Sequence, residues 1–397
     1  MSPQPRSYDD AEGDSQFAIR IHADRRRDPP VTPAGKESAT TLWEAFEAWH
    51  LDARPRVKNL LRVQRSIRRF VEVHQDRPLN AYTKAEVRSF LSMMRRMPQQ
   101  VPKALKGAAM PAVLEFMTAH PETPSVTPKT VNAYLKDLFM VFNFAMACDL
   151  SAQNPASNLR IVDRRVQSEL RLPFDIEDLR FIFQESPIYA GCLSSRQRFR
   201  PGPTIIRDAA FWLPLVALFT GARLGELSVS EVPDYKYEKG LWYLDIHAAS
   251  DNRHLKTISS DRRVPLHSEL VRIGFLEYLR QCKAEGHVRV FEKVQGRRNI
   301  RSAKGWSRSW RTYMQNIGHR DPKKVFHSFR HTFKGACRDV GIHEEVHDAL
   351  TGHRPFQAGR RYGWRIALGT LADAMERVRY PGLDLSHLYD AKLRRAG

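Results

Sequence analysis

Cysteine is scarce in this sequence, and the few residues are far apart. Cys148, Cys192, Cys282 and Cys337 form no CxxC pair, which argues against a disulfide framework and a structural zinc site. Long apolar runs are missing too. The longest, Ala209 to Ala222, has 14 residues with Pro214 inside it, whereas a membrane-spanning helix needs about 20. The N-terminus, Met1-Ser-Pro-Gln-Pro-Arg, has no apolar stretch that would serve as a secretion signal. These absences predict a reducing, cytoplasmic setting and no membrane insertion. There is no GxxxxGK(S/T) loop, so nucleotide hydrolysis is not the expected energy source. No compact carboxylate cluster offers a seat for two metal ions. The expectation is chemistry with neither metal nor cofactor.

Acidic residues are the next shortage. Asp and Glu number 44 against 64 Lys and Arg, a formal charge of +20 over 397 residues. Small-metabolite chemistry rarely needs that excess, whereas nucleic acid or an anionic membrane surface matches it. The excess is uneven. Residues 1–38 hold six basic residues, seven acidic ones and five prolines, and read as a flexible N-terminal tail. Within it, Arg25-Arg26-Arg27 is either a solvated run or an arm that grips DNA. The rest of the chain carries 58 basic against 37 acidic residues.

Hydrophobic periodicity divides that remainder. Thr41-Leu-Trp-Glu44 and Thr83-Lys-Ala-Glu86 read as capping boxes ahead of apolar stripes. Val131, Tyr134, Leu135, Leu138, Val141 and Phe142 mark a third amphipathic helix, from Thr127 to near Asp149. Residues 39–157 therefore read as a small all-helical domain. The stretch 98–126, with five prolines, reads as a loop or insertion. A charged linker is expected over 158–172 and a second domain over 173–397. In the latter, Asp175 or Glu177 opens a helix and residues 207–219 form a buried one. Leu241 to Ile246 is a strand, and a hairpin leads into a second short strand, Arg263 to Leu266. The fold class expected is mainly α with one small β-sheet.

Four segments carry candidate chemistry. Thr220-Gly-Ala-Arg-Leu-Gly-Glu-Leu227 presents Arg223 where a buried helix ends. Lys256 lies in the hairpin Leu255 to Leu266. His327-Ser-Phe-Arg330 is spaced i, i+3, which predicts one shared helix face. Leu350-Thr-Gly-His353 is followed nine residues later by Tyr362. Each element alone is common; the ordered set is not.

With these motifs the chain resembles the tyrosine recombinases, the family of phage integrases and chromosome-dimer-resolving recombinases. The resemblance spans most of 39–397. Its helical part rests on pattern only, through Thr127-Pro-Lys-Thr-Val131, Phe144-Ala145 and Asn154-Pro155. It implies catalytic roles for Arg223, Lys256, His327, Arg330, His353 and Tyr362. Glu226 would be a supporting residue that orients Arg223 or His327. The chain departs from the family pattern at Thr351 and Arg354, and its lysine hairpin is about a residue longer. None of these changes removes a catalytic group.

The chemistry agrees with that assignment. Two arginine forks can clamp the non-bridging oxygens of a phosphodiester as charge develops on them. Tyr362 would be the nucleophile, with its phenolate favoured by cations such as Arg360 and Arg361. Attack gives a 3′-phosphotyrosyl bond that conserves the phosphodiester energy, so rejoining needs no ATP. Lys256 would protonate the leaving 5′-oxygen. The implied function is site-specific DNA recombination, integration or excision, by a two-domain C-shaped clamp. Four protomers would join two duplexes, with DNA-bending proteins as potential accessories, in a cytoplasmic, nucleoid-associated setting. Leu368, Leu371, Met375 and Val378 form a stripe that docks either on a neighbouring protomer or in cis.

Three other readings use parts of the same sequence. A type IB topoisomerase shares the active-site chemistry. A catalytically inactive DNA-binding protein could keep the fold. His343-Glu-Glu-Val-His347 matches the HExxH motif of zinc proteases. Between Lys293 and Arg320 there are eight Lys or Arg and no acid, interleaved with Trp306, Trp310 and Tyr313. The aromatics are expected in the core and the cations on the phosphate backbone.

Overall fold

A computed structural model describes residues 40–163, 171–247, 261–353 and 366–389. They fall into two compact units, one within residues 1–164 and one within 165–397. Lys256, Tyr362 and the tail 1–38 lie outside the described residues.

The first unit is helical: α1 (Leu42–Ala53), α2 (Val57–His74), α3 (Lys84–Arg96), α4 (Met110–Ala119) and α5 (Pro128–Ala147). Both capping boxes form. The Thr41 hydroxyl accepts from the Glu44 N–H at 3.2 Å while the Glu44 carboxylate accepts from the Thr41 N–H at 2.8 Å. Thr83 and Glu86 repeat the arrangement at 3.3 and 2.9 Å. Phe46, Ile67, Phe70, Phe90, Leu138 and Phe142 close the core.

Two features differ from the sequence reading. The proline-rich stretch 98–126 contains α4, which buries Met110, Val113, Leu114 and Met117. Pro111 stands in its first turn, where a missing N–H breaks no helical bond. Helix α2 is the second difference. Its stripe of Val63, Ile67 and Phe70 is buried, but arginines surround it in sequence and dilute the pattern.

The second unit opens at Asp175, which caps α6 (Ile176–Arg180) in a box with Asp178. A single π-helical turn, Phe181–Glu185, continues it. The short α7 (Pro187–Ala190) and α8 (Ala209–Thr220), apolar up to its last residue, follow, then α9 (Leu224–Leu227). Strands β1 (Tyr235–Glu238), β2 (Leu241–Ile246) and β3 (Arg262–Pro265) make an antiparallel sheet in that order. Leu244 pairs with both Tyr235 and Val264. The sequence reading does not contain β1. Its hairpin turns at Lys239-Gly240, both at positive φ (51° and 84°), and a lysine there lacks the Asn or Asp cue of such turns.

Helices α10 (Ser268–Ile273), α11 (Phe275–Ala284), α12 (Ala303–Asn316), α13 (Ser328–Asp339), α14 (Glu344–Thr351) and α15 (Leu368–Arg377) complete the unit. No described helix is long and apolar enough to cross a membrane.

The stripe on α15 docks in cis. Leu371, Met375 and Val378 belong to the core of their own unit. The chain beyond is fastened by side chains reaching its backbone. Arg180 donates to the Gly382 carbonyl at 2.8 Å, Gln184 to Asp384 at 2.8 Å and Arg207 to Leu388 at 2.6 Å. Tyr380 donates to the Leu218 carbonyl at 2.7 Å. Leu388 is fully buried. Leu388→Ala is therefore expected to cost about 2–5 kcal/mol, a fall in Tm of roughly 5–15 °C for a unit of this size. The fall should be the same at all protein concentrations. A concentration-dependent loss would instead mean that the segment docks on a second copy.

Candidate active site

The site forms where the ends of α8 and α14 meet the start of α13. Helix α8 stops at Gly221, and two residues later Arg223 caps α9. The Arg223 side chain is held from two sides. Nη1 meets Glu226 Oε1 at 2.7 Å, and Nη2 donates to the Gly352 carbonyl at 2.9 Å. The Glu226 carboxylate also accepts from the Arg223 backbone N–H at 2.8 Å. The sequence left Glu226 two possible partners; its contacts are with Arg223 and with Arg262.

Arg262 is the residue that the sequence reading missed. It points inward from β3 and gives Glu226 a bidentate pair, Nη2 to Oε2 at 2.7 Å and Nη1 to Oε1 at 3.2 Å. Its Nε donates to the Leu350 carbonyl at 2.8 Å. Both partners are buried, with side chains 6% and 5% exposed. Breaking such a pair by removing one member costs about 3–5 kcal/mol. A signal was present in the sequence. Strand alternation puts residues 262 and 264 on one face, and Val264 faces the core.

Arg262 also shapes the turn that presents His353. Gly352 ends α14 at a φ of 66°. A Cβ there would be strained and would lie 2.8 Å from Arg262 Nη1, so only glycine fits.

His327 lies one residue before α13 rather than within it. It keeps right-handed helical angles, and its carbonyl accepts the Arg330 N–H at 3.1 Å. The i, i+3 relation to Arg330 is therefore that of a helical turn. The Arg330 side chain donates through Nη1 to the Gly221 carbonyl at 2.7 Å and through Nη2 to His353 Nδ1 at 3.0 Å. Arg330 is only 3% exposed, and those two acceptors are neutral. One turn on, Lys334 Nζ bridges Asp348 Oδ1 at 3.1 Å and His353 Nδ1 at 3.2 Å.

The electrostatics follow from this crowding. Burial works against the Glu226 charge, but Arg262 and Arg223 hold its carboxyl below the usual range. Burial, then Arg223 and Arg262, depress the Arg330 guanidinium. The His327 ring is open to solvent at its surface, yet desolvation by its surroundings and then His331, Arg330 and Arg223 lower it to about 4. His353 falls to about 4 through desolvation, then Lys334 and Arg330. An arriving anion would favour the charged form of all three groups.

A pH effect on stability follows. Between pH 6.5 and 4 the unfolded chain binds protons at these histidines that the folded chain refuses. Stability should therefore rise with pH across that window and be independent of these rings above it. Thermal melts should show a shallower acid-side slope in a His327→Gln, His353→Gln double variant. An unchanged slope would show that these histidines are not depressed.

Beside the site runs an open groove of about 610 Å³, with Arg171, His331, Lys334, Arg338, His353 and Arg379 among its lining residues. On α12, which packs against α9, Trp306 and Trp310 are buried and Tyr313 is partly buried. All eight cations between Lys293 and Arg320 are exposed.

The HExxH residues do not assemble comparably. His343 stands outside α14 as its cap, and His347 is 2% exposed with Nδ1 at 3.3 Å from Asp348. Among the described residues no three His, Cys, Asp or Glu side chains come together as a metal site would require.

Comparison with solved structures bears on the whole architecture. The Tn1549 transposon integrase (residues 82–397) in complex with circular intermediate DNA superposes with a TM-score of 0.54 at 15% identity. The match covers 85% of this chain and 100% of that one. A lambda integrase tetramer bound to a Holliday junction gives a TM-score of 0.50 at 18% identity, over 81% of this chain and 80% of that one. This chain shares the fold of these integrases. A second Tn1549 integrase complex, with transposon right-end DNA, matches equally well at 0.54 and 15% identity, over 85% of this chain and 99% of that one. No protein-family model and no curated protein matches the sequence.

Proposed function

We propose that the chain is a site-specific recombinase that breaks and rejoins DNA strands through a phosphotyrosyl intermediate. One observation carries the reading. A buried guanidinium, Arg330, hydrogen-bonds only neutral acceptors among the described residues, beside a second, part-exposed guanidinium at Arg223. Burying a charge without a counter-ion is costly, and a phosphodiester would supply the missing anion.

In the proposed reaction Arg223 and Arg330 clamp the non-bridging oxygens, and Glu226 with Arg262 keeps Arg223 in position. The Tyr362 oxygen attacks phosphorus, and the bond to the 5′-oxygen breaks. His327, neutral before DNA arrives, accepts the phenolic proton as the phosphate raises its pKa. Lys256 gives a proton to the 5′-oxygen. Reversal with a different 5′-hydroxyl completes strand exchange. The two units would close around one duplex, and four protomers on two duplexes would form the synapse; the similar lambda integrase is a tetramer bound to a Holliday junction. The exposed cations of residues 293–320 would follow the backbone. Binding is then expected to weaken steeply with salt, with a log–log slope of about −5 or steeper if most of them contact phosphate; a flat dependence would remove that strip from the interface.

The test is covalent trapping. The protein is incubated with a randomised duplex library carrying nicks that release the cleaved fragment. Adducts are then denatured, sequenced and mapped. Adducts on Tyr362 that form in the presence of EDTA support the proposal and reveal the core site. Salt-sensitive binding without adducts favours an inactive DNA-binding protein. Plasmid relaxation without exchange between duplexes favours a topoisomerase.

A further inference from the structure

We infer that Lys334 is a positioning residue that fixes His353 as a neutral imidazole with its proton on Nε2, so that the ring can only donate toward a bound phosphate. The inference rests on the recombinase reading for its catalytic meaning, but not for its structural content.

The argument is one of donors and acceptors. His353 Nδ1 faces Arg330 Nη2 at 3.0 Å and Lys334 Nζ at 3.2 Å. Neither cation has a lone pair to offer. A proton on Nδ1 would point at two donors, so Nδ1 must carry the lone pair and Nε2 the proton. The remaining contact is weaker. Thr351 Oγ1 lies 3.3 Å away and already gives its own proton to the His347 carbonyl at 2.7 Å.

Asp348 gives Lys334 its particular role. The carboxylate oxygen Oδ1 is 3.9 Å from His353 Nδ1, beyond hydrogen-bonding range, and is engaged by Lys334 at 3.1 Å. Lys334 thus stands between the one nearby carboxylate and the ring. Without it, Asp348 would favour a charged ring, as carboxylates beside histidines do. Among the described residues, the other charged groups acting on the ring are Arg330 from α13 and Arg223 from the start of α9, both opposing its protonation. Lys334 was legible in principle, since it lies one helical turn from Arg330 on the same face.

The experiment is long-range ¹H–¹⁵N correlation NMR on the full chain with labelled histidine, His353 being assigned by loss of its signals in His353→Gln. The wild-type ring should show a protonated Nε2 and a bare Nδ1 at pH 7, with no titration between pH 8 and 5. In Lys334→Met the midpoint should rise by about one pH unit or more, while the neutral form keeps its proton on Nε2, because Arg330 still donates toward Nδ1. Lys334→Arg should restore the wild-type pattern. A wild-type ring protonated on Nδ1, or charged at pH 7, overturns the inference without any variant having to fold. So does a Lys334→Met spectrum identical to wild type.

Adduct formation provides the second readout. Lys334→Met should show a rate that changes with pH around its new midpoint, as the ring passes between charged and neutral, whereas the wild type should show no such change between pH 5.5 and 8. Equal pH profiles overturn the positioning role. If the tautomer behaves as expected and the wild type forms no adduct on any DNA, the recombinase reading fails while the structural assignment of Lys334 stands.

Discussion

Tyr362→Phe is expected to bind DNA as tightly as the wild type, within about twofold, and to form no covalent adduct. The change removes one oxygen and leaves the ring, so contacts that recognise DNA are kept while the nucleophile is lost. The loss should be complete, because no other group in the proposed mechanism can form the ester. The check is denaturing electrophoresis of cross-linked species beside a binding titration at the same salt. An adduct formed by Tyr362→Phe would move the nucleophile elsewhere. Binding that collapses with the adduct would mean that the tyrosine anchors DNA.

Arg330→Met is expected to lower the rate of adduct formation by about 10³-fold or more, the scale seen when one preorganised charge donor is removed from a transition state. Ground-state binding should lose only about one unit of salt slope, the share of a single phosphate contact. Stability should move the other way or stay level. In the folded protein Arg330 is buried against Gly221 and His353 with burial opposing its charge, so an apolar side chain of comparable length removes a strained cation. A melt at or above the wild-type Tm, together with a crippled cleavage rate, is the signature of a residue kept for chemistry. A large fall in Tm with a proportional loss of binding would instead make Arg330 a structural anchor.

How much was legible depended on how local the information was. The capping boxes at Thr41 and Thr83 are satisfied within four residues, and each forms as its sequence implies. The apolar run over 209–220 could only be a buried element. By contrast, α4 hid among prolines, and β1 hid behind a turn whose first residue is lysine. Their existence is decided by what they pack against rather than by their own residues. The stripe on α15 could be read as apolar but not as docking in cis. An amphipathic face states that it will be covered, not by what.

By itself the sequence determined which chemical groups the proposed site has to work with. Arg223, Lys256, His327, Arg330, His353 and Tyr362 stand in that order along the chain. It also determined the mainly helical class through periodicity and caps. Only the tertiary structure decided how those groups act on one another. Arg330 meets Gly221 and His353, Arg262 crosses from β3 to bind Glu226, and Lys334 separates Asp348 from His353. These partners are 14 to 109 residues apart along the chain. Charge pairing and proton placement depend on distances of about 3 Å and on exclusion of water. Both arise only when separate elements close on each other, so no local pattern of residues could have announced them.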